Sequence, residues 1–356
     1  MLGGNEGLEG DIDKIDGVAE LASEDQRLAG HIEAGEIVAR VRLGESKFAG
    51  GTDGGRERLA GMELQLGWLY LDTIALLTKF TADPARDYLH HVDALDLAGL
   101  EVLLAEHGPR LAGIVLEAPG NPLVQTPDVA AVAALARKHG GRVVIDPAIS
   151  SPFNVDVLRY ADLVAFSLTK YAAHTGDVMM GAVVVNPSGP DADAMRAALR
   201  HAVEPPYQRD LARLAAQIGG AAEVVAKINA NTRRVAEFLE HHSRVRQVWW
   251  AGQASGRENY RKIARHVEAW GGVISFVLHD PMERFYDEVR LAKGLSFGMS
   301  ETLLCPYIYL AHYDLVGTEA GRAELAANGL EPELLRLSVG TEPAEAITAE
   351  LVRALG

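Results

Sequence analysis

Cysteine is almost missing from this chain: Cys305 stands alone among 356 residues. That excludes an internal disulfide and fits a reducing compartment. Basic residues are short as well, 34 Lys and Arg against 49 Asp and Glu, for a net charge of −15. Such a balance argues against nucleic-acid binding, because phosphate backbones call for a basic face. No uninterrupted apolar stretch approaches the roughly 18–20 residues that span a bilayer. The first residues, MLGGNEGLEGDIDKIDG, lack the basic start and apolar run of a signal peptide. No strand-like run is followed by Gly-x-Gly-x-x-Gly, which weighs against a nucleotide-binding Rossmann protein. The expectation from these absences is a cytoplasmic protein without nucleic-acid or membrane partners.

What is present is ordinary globular material, 48% hydrophobic and 23% charged. The length suits one large core plus a smaller domain, since single cores split beyond roughly 250–300 residues. Residues 1–60 are rich in Gly, Glu and Asp with weak periodicity. They read as a poorly defined arm, and GGTDGG at 50–55 as a plain turn rather than a phosphate loop. From 61 onward short apolar runs alternate with amphipathic stretches. Ile114–Glu117, Val143–Asp146, Leu163–Phe166 and Gly181–Val185 read as strands of a mostly parallel sheet. Thr126 and Pro127 are expected to cap and open the helix that follows the first of these, and Gly140-Gly141 to stop it. Residues 61–208 form the expected large domain. A long helical stretch, 209–245 with a bend at Gly219-Gly220, links it to a small α+β domain over 246–356, with strands at 273–278 and 334–339.

Three polar residues stand at the ends of apolar runs: Asn121, Asp146 and Lys170. In an open parallel sheet such ends face the ligand crevice. Asp146, after three β-branched residues, needs a cationic partner if buried; a strand-end cap is the plainer alternative. Lys170, in Ser167-Leu168-Thr169-Lys170, is either a solvated strand end or a desolvated lysine able to attack carbonyls. Ser167 and Thr169 alternate with it and could donate hydroxyl hydrogen bonds to a phosphate. His90-His91 and His241-His242 are adjacent pairs, poorly arranged for one metal ion, and read as solvated surface. No metal site is expected. His174 reads equally as a pocket residue or a structural one, and Trp249-Trp250 as core or as a contact between subunits.

Five segments together carry a resemblance. SLTKYAAHTGDVMMGAVVVN (167–186) resembles the cofactor-lysine segment of the Cys/Met-metabolism enzymes that use pyridoxal phosphate, the cystathionine γ-synthase family. EAPGNP (117–122), VVIDPAISSPFN (143–154), LSFGMSETLLCP (295–306) and LLRLSVGTEP (334–343) are similar to further motifs of that family, and LYLDT (69–73) matches the position of its Tyr-Gly-x-Thr. The likeness covers about residues 66–356 in the right order and is nearest to the divergent, fungal-type branch. It implies fold-type I, aspartate-aminotransferase-like α/β architecture and a pyridoxal 5′-phosphate cofactor held as a Schiff base on Lys170. It further implies that Asp146 pairs with the pyridine nitrogen, Ser167 and Thr169 hold the phosphate, and Tyr70 stacks on the ring and assists as acid or base. Arg336 would bind the substrate α-carboxylate, with Asn121 near the cofactor oxygen or that carboxylate and Ser296 orienting Lys170 or Arg336.

The implied reaction is γ-replacement on an O-acyl or O-phospho homoserine by cysteine, giving cystathionine in methionine biosynthesis. γ- or β-elimination from cystathionine or methionine is the alternative. Amino-acid substrates and a homodimer or homotetramer are implied with it. The chain departs from the family pattern at 41–50, where VRLGESKFAG stands in place of Ser-Gly-Met, and in lacking an N-terminal Tyr-x-Arg. Those motifs help bind the phosphate, so a PLP-fold relative with impaired catalysis, serving as a structural or interaction protein, is the remaining alternative.

Overall fold

The computed structural model describes residues 62–80, 87–91, 93–253 and 256–356. The arm, the GGTDGG turn and the VRLGESKFAG segment lie outside them. Six strands build the first sheet: β1 (Met62–Leu66), β2 (Asp87–His91), β3 (Leu111–Glu117), β4 (Arg142–Asp146), β5 (Leu163–Ser167) and β6 (Gly181–Val185), in the order β2-β1-β3-β4-β5-β6. All neighbours are parallel except β5 and β6. The helices α1 (Leu71–Phe80), α2 (Leu97–His107) and α3 (Val129–Lys138) make crossovers between its parallel strands, the connection that parallel neighbours require.

β3 is longer than its apolar run suggests, starting at Leu111, and five of its seven residues are buried. Its end residue Glu117 is in register with Asp146 at the end of β4. Two carboxylates thus lie side by side at the carboxyl edge of the sheet. The helix after β3 also starts later than expected. Asp128, not Thr126, caps α3: its carboxylate accepts the Ala131 N–H at 3.2 Å and pairs with Lys262 at 2.9 Å. Thr126 is fully buried two residues too early, and its hydroxyl has no hydrogen-bond partner among the described residues. A carboxylate that answers both a helix N-terminus and a lysine outcompetes a hydroxyl for the cap.

Beyond β6 come α4 (Ala192–Ala202), α5 (Gln208–Gln217) and α6 (Ala221–His241). The expected long stretch is therefore two helices, broken by a tight turn over Ile218–Gly220. α6 leads to a second sheet of β7 (Val245–Trp249), β8 (Val273–Leu278), β9 (Ala292–Lys293), β10 (Leu303–Pro306) and β11 (Leu335–Ser338), ordered β7-β8-β11-β10-β9. It is antiparallel except for β9 against β10. One apolar cluster is continuous through both sheets, from Ile114 and Ile145 through Tyr171, Val225 and Ile228 to Phe276 and Leu335. Trp250 belongs to it, 5.4 Å from the Trp270 ring, and Trp249 is buried too, which favours the core reading for that pair. The pair His90-His91 is half-buried rather than solvated. His90 meets the Gly67 carbonyl at 3.1 Å and His91 the Asp96 carbonyl at 3.0 Å.

Candidate active site

The lysine loop leaves β5 at Ser167, turns at Lys170 and is locked on both sides. Before the lysine, the Thr169 hydroxyl accepts the Met180 N–H at 3.0 Å and reaches the Met180 carbonyl at 3.3 Å. After it, Tyr171 is buried, donates its hydroxyl to the Ile149 carbonyl at 2.7 Å and accepts the Gly272 N–H at 2.8 Å. Gly298 lets the 295–300 segment close onto this loop: at φ +72° a Cβ there would sit 2.8 Å from the Tyr171 ring. The contact is sealed by Ser300, whose N–H bonds the His174 carbonyl at 2.9 Å and whose hydroxyl meets His174 Nδ1 at 3.0 Å. His174 is thus a tie between loops.

Lys170 emerges from this clamp half-buried. Its Nζ lies 3.4 Å from the Ser296 hydroxyl and 4.8 Å from the centre of the Phe297 ring. Desolvation, with Arg336 nearby, pulls its pKa down to about 8, against the opposing pull of Asp146. Asp146 is pushed up to about 6 by burial, offset by the Ala148 N–H that it accepts at 2.7 Å and by Lys170. Glu117 is raised further by burial beside Asp146. It accepts two backbone N–H groups, Tyr70 at 2.6 Å and Asn121 at 2.9 Å. It therefore ties the loop bearing Tyr70 to the loop bearing Asn121.

Arg336 reaches the same space from β11 of the second sheet. It is 3% exposed, so it is no solvated surface cation. Its hydrogen bonds go to neutral groups: Asn121 Oδ1 at 2.8 Å, the Leu295 carbonyl and the Cys305 thiol. The guanidinium lies 4.5 Å from the Tyr307 ring centre and 5.4 Å from that of Phe297. A buried cation whose hydrogen bonds all go to neutral groups is expensive, and it is the natural seat for a carboxylate.

The structure thus brings Lys170, Asp146, Ser296, Asn121 and Arg336 together. Tyr70, half-exposed at the start of α1, flanks them: its phenol is raised by partial burial and by Asp72, and Arg336 opposes the shift. Thr169 is the exception, since its hydroxyl is committed to the Met180 backbone rather than free for a phosphate. Ser167 sits half-buried at the end of β5, opposite Gly181. Glu117, Phe297 and Tyr307 belong to the site but were not singled out from the sequence. The first two lie inside quoted motifs, and the signal for Tyr307 is an aromatic directly after the strand that ends Cys305-Pro306.

The model of the Cys/Met metabolism PLP-dependent enzymes matches residues 65–356. The chain belongs to that family. Its cofactor is pyridoxal phosphate, and its architecture is fold-type I α/β. The chain is 44% identical over 290 residues to the L-2-amino-4-chloropent-4-enoate dechlorinase/desaturase of Streptantibioticus cattleyicolor, covering 82% of this chain and 57% of that protein. It is 33% identical over 295 residues to the cystathionine γ-synthase of Neurospora crassa, covering 82% and 46%. Among solved structures, the cystathionine γ-synthase of Xanthomonas oryzae in complex with cystathionine superposes with a TM-score of 0.73 at 25% identity, covering 83% of this chain and 75% of that one. The chain thus spans about half the length of the two relatives named first.

The residues present fit the cofactor at its ring and aldehyde ends. A half-buried carboxyl held above its usual range at the strand edge answers a protonated ring nitrogen, and a lysine of lowered pKa answers an aldehyde. Because the neutral amine is the nucleophile, capture of pyridoxal phosphate by apoprotein is expected to accelerate as pH rises. It should be half-maximal near the pKa of about 8 and level off above it. Stopped-flow absorbance measures this, and a rate that stays flat through neutral pH contradicts the assignment.

Proposed function

We propose that this chain expels a γ-substituent from an L-α-amino acid, with Lys170 as the amine that handles protons and Arg336 as the carboxylate clamp. The observation that carries the reading is the convergence in one crevice of a depressed lysine, a half-buried acid and a buried arginine whose hydrogen bonds among the described residues go to neutral groups. When bound, pyridoxal phosphate supplies an aldehyde and an electron-withdrawing ring that stabilises charge left on the substrate carbon. Asp146 holds the proton at the ring nitrogen. Lys170 Nζ would take a proton from Cα of the substrate, hand it to the cofactor carbon that carried the aldehyde, and then, neutral again, take one from Cβ. The electron pair from Cβ then drives out the γ-group, which leaves with the electrons of its Cγ bond. Ser296 keeps Nζ pointed along that path. Tyr70, whose phenol keeps its proton at neutral pH, is the acid on the open side.

Two outcomes can follow. Cysteine can add at Cγ, as the resemblance to cystathionine γ-synthase suggests, giving cystathionine from an O-acyl or O-phospho homoserine. Alternatively the product leaves unsaturated without a second substrate, a reading favoured by the 44% identity to a dechlorinase/desaturase. A homo-oligomer belongs to either reading. Protein loaded with pyridoxal phosphate should be assayed with O-acetylhomoserine, with and without cysteine, and with a γ-chlorinated amino acid. Cystathionine formed only with cysteine supports replacement; chloride release without cysteine supports elimination. Protein that takes up no cofactor favours the structural-relative alternative and overturns the proposal.

A further inference from the structure

Asn121 carries one donor end and one acceptor end on its amide, and the two orientations of that amide have opposite consequences for Arg336. A guanidinium can only donate. It is bonded only if Oδ1 faces it, as it does at 2.8 Å; the flipped amide would set N–H against N–H. The group on the other side of the amide is Tyr307. Its hydroxyl accepts the Asn121 Nδ2 hydrogen at 2.7 Å, and the guanidinium Cζ lies over its ring, 4.5 Å from the centroid. Tyr307 is itself 3% exposed and packed in an apolar cluster with Leu334 and Ile308. It therefore cannot swing away from either neighbour. Its position is set by the chain as well, since its N–H bonds the Leu334 carbonyl at 3.0 Å, two residues before Arg336.

We propose that Tyr307 is a positioning residue that sets how tightly the site grips a substrate α-carboxylate, by fixing the Asn121 amide with its hydroxyl and the Arg336 plane with its ring. The proposal rests on the reading of Arg336 as the carboxylate clamp. It adds that the clamp's geometry is supplied by a residue that does not touch the substrate. Removing the hydroxyl takes the acceptor from Asn121 Nδ2, so the amide that offers Oδ1 to Arg336 is no longer anchored at its other end. The effect falls on carboxylate binding alone, because neither Lys170 nor Asp146 is bonded to Tyr307.

The test uses the full chain loaded with pyridoxal phosphate and reads binding through the cofactor's absorbance. The probes are L-norvaline, which has no γ-leaving group, and n-butylamine, its counterpart without the carboxylate. Wild type should bind norvaline more tightly than butylamine. Tyr307→Phe should weaken norvaline about tenfold, the size of one lost hydrogen bond to a clamped polar group, and leave butylamine and the cofactor spectrum unchanged. Tyr307→His, which restores an acceptor on a ring, should recover part of the loss. Dissociation constants report only the folded, loaded fraction, so partial misfolding does not blur them. If wild type fails to distinguish the two ligands, the clamp reading itself is overturned. If wild type discriminates and Tyr307→Phe discriminates equally, or loses both ligands in parallel, the role given to Tyr307 is overturned while the clamp stands.

Discussion

Lys170→Ala is expected to abolish the visible absorption of lysine-linked cofactor and to lower turnover by about 10²–10⁴-fold from lost proton transfer alone. The amine is the group on which the loop geometry converges. Thr169 and Tyr171 anchor the backbone on either side, the 295–300 segment is pressed against it at Gly298, and Ser296 meets Nζ at 3.4 Å. The substitution also removes the cation that holds Asp146 down against burial. The carboxyl of the variant should therefore titrate higher still, and non-covalent cofactor binding should weaken with it. The fold should survive, because the neighbouring anchors are backbone and Tyr171 contacts that alanine leaves intact. Absorbance of the loaded protein and a thermal melt separate the two effects. A variant that keeps the visible band and its turnover would remove Lys170 from the mechanism.

Arg336→Ala should raise KM for the amino acid far more than it lowers kcat, reducing kcat/KM by about 2–4 kcal/mol, or roughly 30- to 1,000-fold. The substitution removes the cation that meets the carboxylate. It also strands the Asn121 amide oxygen, the Leu295 carbonyl and the Cys305 thiol, all of which lose their donor. Arg336→Lys should rescue little. A lysine brings a point charge, but it cannot serve several acceptors in divergent directions while keeping contact with the rings of Tyr307 and Phe297. The expected order of KM is wild type below Lys below Ala. Stability should fall less than a lost buried cation suggests, since relief of its desolvation offsets the lost contacts. Steady-state kinetics for the three proteins on one substrate decides it: KM for the alanine variant within twofold of wild type would exclude Arg336 as the clamp.

Much of this site was legible before any coordinates. Apolar runs ending in a polar residue placed Asp146 and Lys170 at one edge of a parallel sheet, because side-chain burial on both faces forces that pattern locally. The strand over Val143–Asp146 and the stop at Gly140-Gly141 depend on residues within a few positions, and both are found where the pattern put them. Where two groups compete for one role, the sequence was a poorer guide. The cap of α3 passed from Thr126 to Asp128 because Lys262, 134 residues away, favours the carboxylate. Thr169 was read as a phosphate donor, yet the Met180 backbone across the hairpin holds its hydroxyl.

The sequence alone determined the strand-helix alternation, the cofactor class and the identity of the residues that end each strand, all of which follow from local patterning and from motifs in order. Only the tertiary structure decided what those residues do to one another. Asn121 and Arg336 are separated by 215 positions and Lys170 and Ser296 by 126, and each pair meets across the gap between two sheets. The pKa values follow from the same cause. Lys170 is lowered and Asp146 and Glu117 are raised because packing removes water from groups that in the extended chain are fully solvated. Burial is a property of the whole fold, and the chemistry at this edge of the sheet depends on it.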